Sequence, residues 1–185
     1  MNFAKSLCFW LFGLSGAGKT TLSAFVREGL AARHIPNVVL DNDAIRGRLN
    51  ADLGFSMKDR VENNRRCAEL ARLITVENGI TSLCCFISPL EEIRRNLRHI
   101  LGDRLRLIHV SCSLEECVRR DPKGNYRKAQ MGLIKEYTGV KSSFEQPLEA
   151  DFTVHTDTCS LHESKDQIMS YVLRELGEAD SIGNT

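Results

Sequence analysis

The stretch that most constrains this chain is Gly13-Leu14-Ser15-Gly16-Ala17-Gly18-Lys19-Thr20. It has the spacing G-x-x-x-x-G-K-[ST] of a phosphate-binding loop, or P-loop. Its flanks narrow what it can fold into. Leu7 to Phe12 is an apolar run of strand length, and Thr21 to Leu30 repeats its apolar residues at helical spacing. A strand that turns through glycines into a helix aims several backbone N–H groups, and the positive end of the helix, at one point. Gly13, Gly16 and Gly18 let phosphates approach the backbone, while Ser15, Ala17 and Thr21 complete the loop and the first helical turn. Lys19 then reaches toward β- and γ-phosphates, and the Thr20 hydroxyl is placed for Mg²⁺. The stretch predicts a nucleoside triphosphate site.

Beyond it, strands and helices alternate. Val38 to Leu40, Thr81 to Ile87, Leu105 to Val110 and Phe152 to His155 read as further strands. Helices are expected from Ala44 to Asn50, from Ser56 to about Asn78, from Leu90 to Leu101, from Ser113 through Arg120 and from Ser160 to about Gly177. Three of them open on a capping-box pattern, at Ser56, Ser113 and Ser160. The alternation implies a parallel sheet covered on both faces: an α/β, three-layer P-loop NTPase fold with five strands. From Asp121 to about Ala150 the periodicity fades into a loop-like, glycine-spaced stretch. Between Arg119 and Lys141 there are seven Lys/Arg against two acids, which suits a mobile lid at about 119–150. One domain is expected over residues 1–177, with a frayed tail at 178–185.

Composition serves mainly to exclude. The formal net charge is +1, so no general attraction to nucleic acid or membrane is expected. No apolar run approaches about 18 residues, and the N-terminus lacks an apolar leader with a cleavage site. Seven cysteines are an odd number, set mostly in apolar runs and without zinc spacing. They predict reduced, buried thiols in a cytoplasmic enzyme, with Cys84-Cys85 as strand core.

In parallel α/β sheets ligands gather beyond the carboxyl ends of the strands. That rule collects the P-loop, Asp41-Asn42-Asp43, Ile87-Ser88-Pro89 and the loop after Val110 around one crevice. A carboxylate at Asp41 or Asp43 suits the water ligands of Mg²⁺ or the proton of an attacking hydroxyl. Either also suits a turn or helix cap. Arg46 shares a helical face with Asp43, and Arg60 and Asn63 share another. Arg60 offers a planar donor fork for a phosphate or sulfate. Phe55 reads as a hydrophobic staple or as a platform for a base.

These elements together resemble the adenylylsulfate kinase family. The resemblance rests on the P-loop through Thr21, Leu53-Gly54-Phe55-Ser56, Asp59-Arg60 with Glu62-Asn63, and Phe86-Ile87-Ser88-Pro89. It continues through Asp121-Pro122-Lys123-Gly124 with Tyr126, and Ile134-Lys135 with Thr138-Gly139. It implies transfer of the γ-phosphate of ATP to the 3′-hydroxyl of adenosine 5′-phosphosulfate (APS), giving PAPS and ADP. It implies that Gly16 to Thr21 hold ATP and Mg²⁺, with Lys19, Asp43, Asp41, Ser88 and Lys123 in the chemistry and no zinc. By the same resemblance Asp43, Arg46, Phe55, Arg60, Asn63, Ile87, Ser88, Lys123 and Tyr137 line the APS site. Phe55 and Tyr137 would sandwich its adenine, Arg60 and Asn63 would hold its phosphosulfate end, and Arg120 and Lys123 would belong to the lid. A homodimer is implied.

The chain departs from the family pattern in two places. Asp-Gly-Asp-Asn is here Asp41-Asn42-Asp43-Ala44, and Gly-Glu-Ile-Lys-x-Phe-Thr-Gly becomes Gly132-Leu133-Ile134-Lys135-Glu136-Tyr137-Thr138-Gly139. Both changes fall on the acceptor and lid side. Two other readings follow: a relative acting on a different nucleotide-linked acceptor, and a catalytically silent PAPS-binding regulatory domain. The second is expected to lose the P-loop lysine or metal hydroxyl, yet Lys19 and Thr20 are both present.

Overall fold

The computed structural model describes residues 5–134, 137–140 and 142–178. Lys135 and the expected tail beyond Glu178 lie outside these residues. Five strands, β1 (Cys8–Phe12), β2 (Asn37–Asp41), β3 (Thr81–Phe86), β4 (Leu105–Ser111) and β5 (Phe152–His155), form one sheet in the order β2-β3-β1-β4-β5. Every pairing is parallel.

The centre of the sheet shows why the sequence folds this way. Strand β1 is buried on both faces, and its alternation divides the core in two. Phe9 and Leu11 point to the face covered by α1 (Lys19–Ala32) and α7 (Leu161–Leu176), meeting Leu22, Val26, Ile168 and Val172. Cys8, Trp10 and Phe12 point to the face covered by α3 (Met57–Arg72) and α4 (Glu91–Leu101), meeting Cys67, Ala71, Ile93 and Leu97. These are the three layers expected from the alternation of elements. All seven cysteines are free thiols, and burial pushes those of Cys67, Cys85 and Cys117 up to about 12, 11 and 12. Cys84 and Cys85 are strand core.

Several elements differ from the sequence expectation in their ends. The first helix after β2 is short, α2 (Asn42–Arg46), and begins at Asn42 because the Asp41 carboxylate caps it. Helix α3 runs as α-helix to Arg72 and changes to π-helical winding over Leu73–Glu77 before Gly79. After α5 (Leu114–Arg120) the stretch expected to be loop-like contains a short helix, α6 (Asn125–Gln130). Its local signal is the Asp121 carboxylate, which accepts from the backbone N–H groups of Tyr126 and Arg127 at 3.1 Å each. Six residues carry too little apolar period to show in a hydrophobic pattern.

Candidate active site

The carboxyl ends of the strands open into two adjoining clefts of ≈ 650 and ≈ 600 Å³. The first is built on the P-loop. Gly13 leaves β1 with φ 146°, and a Cβ there would stand 2.4 Å from the Val110 carbonyl oxygen, so only glycine fits. Gly18 takes a left-handed conformation at the start of α1, turning the helix N-terminus toward the cleft. Ser15, Gly16, Gly18, Lys19, Thr20 and Thr21 line this first cleft, whereas Gly13 and Ala17 are buried behind it.

Lys19 curls over the loop and donates to the carbonyls of Gly13 (2.9 Å) and Leu14 (2.7 Å). Burial lowers its ammonium pKa to about 8. Thr20 Oγ1 donates to Asp41 Oδ2 at 3.0 Å, and the other oxygen of Asp41 accepts from the Asp43 N–H at 3.0 Å. A hydroxyl and a carboxylate side by side are hard oxygen donors, and they fit a magnesium ion that arrives with nucleotide phosphates. Arg120 closes the far wall. It spans from Glu116 (2.8 Å) to the Gly16 carbonyl (3.4 Å) and to the hydroxyl (3.2 Å) and carbonyl (2.5 Å) of Thr156. The guanidinium groups of Arg119 and Arg120 hold the Glu116 carboxyl down to about 2, keeping this strut charged.

The second cleft gathers all nine residues of the expected acceptor site: Asp43, Arg46, Phe55, Arg60, Asn63, Ile87, Ser88, Lys123 and Tyr137. Phe55 is 60% exposed, with the Arg46 guanidinium 4.8 Å over its ring. The position that a staple would fill on the following helix holds Arg60, whose Nε donates instead to the Phe55 carbonyl at 3.0 Å. The ring therefore faces the cleft. Arg60 Nη1 also donates to Thr138 Oγ1 at 3.0 Å, which ties α3 to the segment after α6. Asn63 is held from both sides. Its Nδ2 donates to Asn42 Oδ1 and its Oδ1 accepts from Asn50 Nδ2, both at 3.0 Å.

Ser88 forms the back wall. It is 1% exposed with φ 42°, and its hydroxyl accepts from Trp10 Nε1 (2.9 Å) and donates to Asn64 Oδ1 (2.7 Å). Buried Arg94 pins this turn by donating to the Ser88 carbonyl (2.9 Å) and to the Glu145 carbonyl (2.9 Å).

The two clefts share Ser15, Asn42, Asp43, Ile87 and Lys123. At this junction Lys123 Nζ donates to Asp43 Oδ2, an ion pair that raises the lysine pKa. A P-loop cleft that opens onto a second cleft through a paired carboxylate and ammonium fits a kinase for a second, anionic substrate. Residues 5–155 match the family described as adenylylsulphate kinase. The chain belongs to that family.

Relatives in the adenylylsulphate kinase family are similar over most of this chain. A probable adenylyl-sulfate kinase of Halalkalibacterium halodurans is 44% identical over 172 residues, covering 92% of this chain and 85% of the relative. The probable adenylyl-sulfate kinase of Bacillus subtilis gives the same identity and coverage, 44%, 92% and 85%. The APS kinase of Mycobacterium tuberculosis, solved with AMPPNP and APS, superposes with TM-score 0.85 at 36% identity over 95% of this chain and 99% of that one.

Some residues of this adenylylsulphate kinase site escaped the sequence reading. Thr156 donates to the Ala17 carbonyl at 2.8 Å and braces Arg120. It directly follows β5, so the strand-end rule applied to the last strand would have found it. Cys159, Leu161 and Ser164 complete the outer end of the first cleft. Asn64 and Trp10, which fix the Ser88 hydroxyl, left no local signal, because their role arises only when β1, β3 and α3 pack together.

Proposed function

We propose that this chain is an adenylyl-sulfate kinase, transferring the γ-phosphate of ATP to the 3′-hydroxyl of APS to give PAPS and ADP. The observation that carries the reading is the pair of clefts meeting at Asp43 and Lys123, in a chain of this family. The loop amides and Lys19 hold the β- and γ-phosphates in the first cleft, and Arg120 closes over the outer end. Thr20 and Asp41 hold Mg²⁺, which when bound neutralises phosphate charge. The second cleft takes APS: Phe55 and Tyr137 flank the base, and Arg46, Arg60 and Asn63 receive the phosphosulfate.

At the junction Asp43 accepts the proton of the 3′-hydroxyl as its oxygen bonds to the γ-phosphorus and the bond to ADP breaks. Lys123 offsets charge on the transferring group. Ser88, with both hydrogen-bonding directions engaged, shapes the acceptor wall, and direct transfer needs no covalent step through it. The cationic segment at about 119–150 acts as a lid; its footings are Tyr126 Oη on the Ser15 carbonyl (3.0 Å) and Lys123 on Asp43.

We place the reaction in a reducing cytoplasm, which the free thiols support, and the working assembly as a homodimer, on family resemblance. Among the described residues no helix is long and apolar enough to cross a membrane. The test is ADP release from MgATP with and without APS, with the product weighed by mass spectrometry. APS-dependent formation of PAPS is the expected result. ATP binding without APS phosphorylation would sink this reading and direct attention to other nucleotide acceptors.

A further inference from the structure

Tyr137 carries a hydroxyl for which the fold has no use. The residue is 9% exposed, its ring meets Tyr126 edge-on at 5.0 Å and 89°, and it lines the acceptor cleft. Its Oη is buried without a hydrogen-bond partner among the described residues. Ser15 and Asn125 stand close to the phenol but outside hydrogen-bond geometry, and the Ser15 carbonyl is already engaged by Tyr126 Oη at 3.0 Å. An unmet buried hydroxyl carries the cost of leaving water without a bond in return. Phenylalanine would make the same ring contact without that cost.

We infer that the Tyr137 hydroxyl is a recognition group for the acceptor, hydrogen-bonded by a nitrogen or oxygen of the nucleoside part when the cleft is filled. The inference rests on the reading of this cleft as the acceptor site. The nucleoside, rather than the sulfate, is the partner because the phenol is neutral. The cleft supplies its cations elsewhere, at Arg46 and Arg60. A site that pairs a buried polar group only through its ligand discriminates against ligands that leave the group unpaired.

The experiment is Tyr137→Phe in the full chain, titrated with APS, with adenosine 5′-monophosphate and with MgATP, alongside a thermal melt. Kd for APS and for the monophosphate is expected to rise by the same factor, about three- to tenfold, from one lost hydrogen bond. Kd for MgATP stays within twofold, and the melting temperature holds or rises, because the free protein sheds an unmet polar group. Unchanged affinity for both adenosine nucleotides overturns the inference, as does a loss confined to APS. So does a drop in melting temperature with parallel losses for all three ligands, which marks a structural role. Should the wild-type chain fail to phosphorylate APS, the proposed reaction falls, while the monophosphate titration still tests the hydroxyl.

Discussion

The two clefts are of nearly equal size but are put together differently. The largest single piece of the donor wall comes from residues 15–22, adjacent in sequence and shaped by one glycine-rich turn. The acceptor wall draws on α2, the loop before α3, α3 itself, the turn after β3 and two parts of the segment after α5. Its polar groups are oriented by contacts that span the chain: Arg60 to Thr138, Asn63 to Asn42, Ser88 to Asn64 and Trp10. A phosphate needs donors along a backbone, which a short motif supplies wherever it folds. A particular nucleotide needs side chains at fixed mutual positions, which only packing supplies. Replacement is therefore least tolerated in the first cleft, whereas the second adjusts through its supporting residues. Of the departures from the pattern that the sequence resembles, Leu133 and Tyr137 line the second cleft and Asn42 lines both, while Ala44 lines neither.

Four substitutions or conditions test that contrast. Lys19→Ala should have the largest effect, lowering kcat on the order of 10³-fold by removing the cation over the phosphates. Steady-state ADP release checks it, and a loss below tenfold would break the assignment of this cleft to the donor. Asp43→Asn should lower kcat by roughly 10²-fold or more with small changes in either KM, as the loss of a general base demands. Unchanged turnover would reject a catalytic carboxylate at the junction.

The third test concerns the support beneath the acceptor wall. His109 is buried between Phe12 (5.1 Å) and Phe144 (6.1 Å), and burial lowers its pKa to about 4, with Arg94 and His155 adding repulsion. The folded protein thus resists a proton that the unfolded chain accepts near the ordinary value of 6.5. Stability is full above that value and is lost as pH falls toward 4, by about 2–3 kcal/mol from this group. Denaturant melts at pH 7 and pH 4.5 check it, and His109→Gln should flatten the difference. An unaltered difference in that variant would move the cause to other groups.

The smallest effect is expected of Asn42→Ala. It frees Asn63 from one of its two partners and should raise KM for APS about fivefold, through the loss of about 1 kcal/mol of hydrogen bonding, while KM for ATP holds. Equal changes in both values would mean that Asn42 serves the junction as a whole rather than the acceptor wall.

The sequence by itself determined the donor half of this protein. The P-loop residues and the strand and helix on either side state the phosphate site, and the unbroken apolar run from Cys8 to Phe12 states a strand covered on both faces. Backbone conformation and core burial are local or periodic demands, and they leave local or periodic traces. The end-carboxylates Asp41 and Asp43 followed from the strand-end rule, since β2 stops beside the P-loop. Tertiary structure decided the rest. That Phe55 does not staple α3 turned on Arg60 standing at the staple position and bonding back to the Phe55 carbonyl. Asn64 and Trp10 joined the site only through neighbours 24 and 78 positions away in the chain. The buried hydroxyl of Tyr137, unpaired among the described residues, has no meaning until the residues around it are known. Each of these rests on which groups meet across the packed sheet and helices, and no local spacing in the chain encodes that meeting.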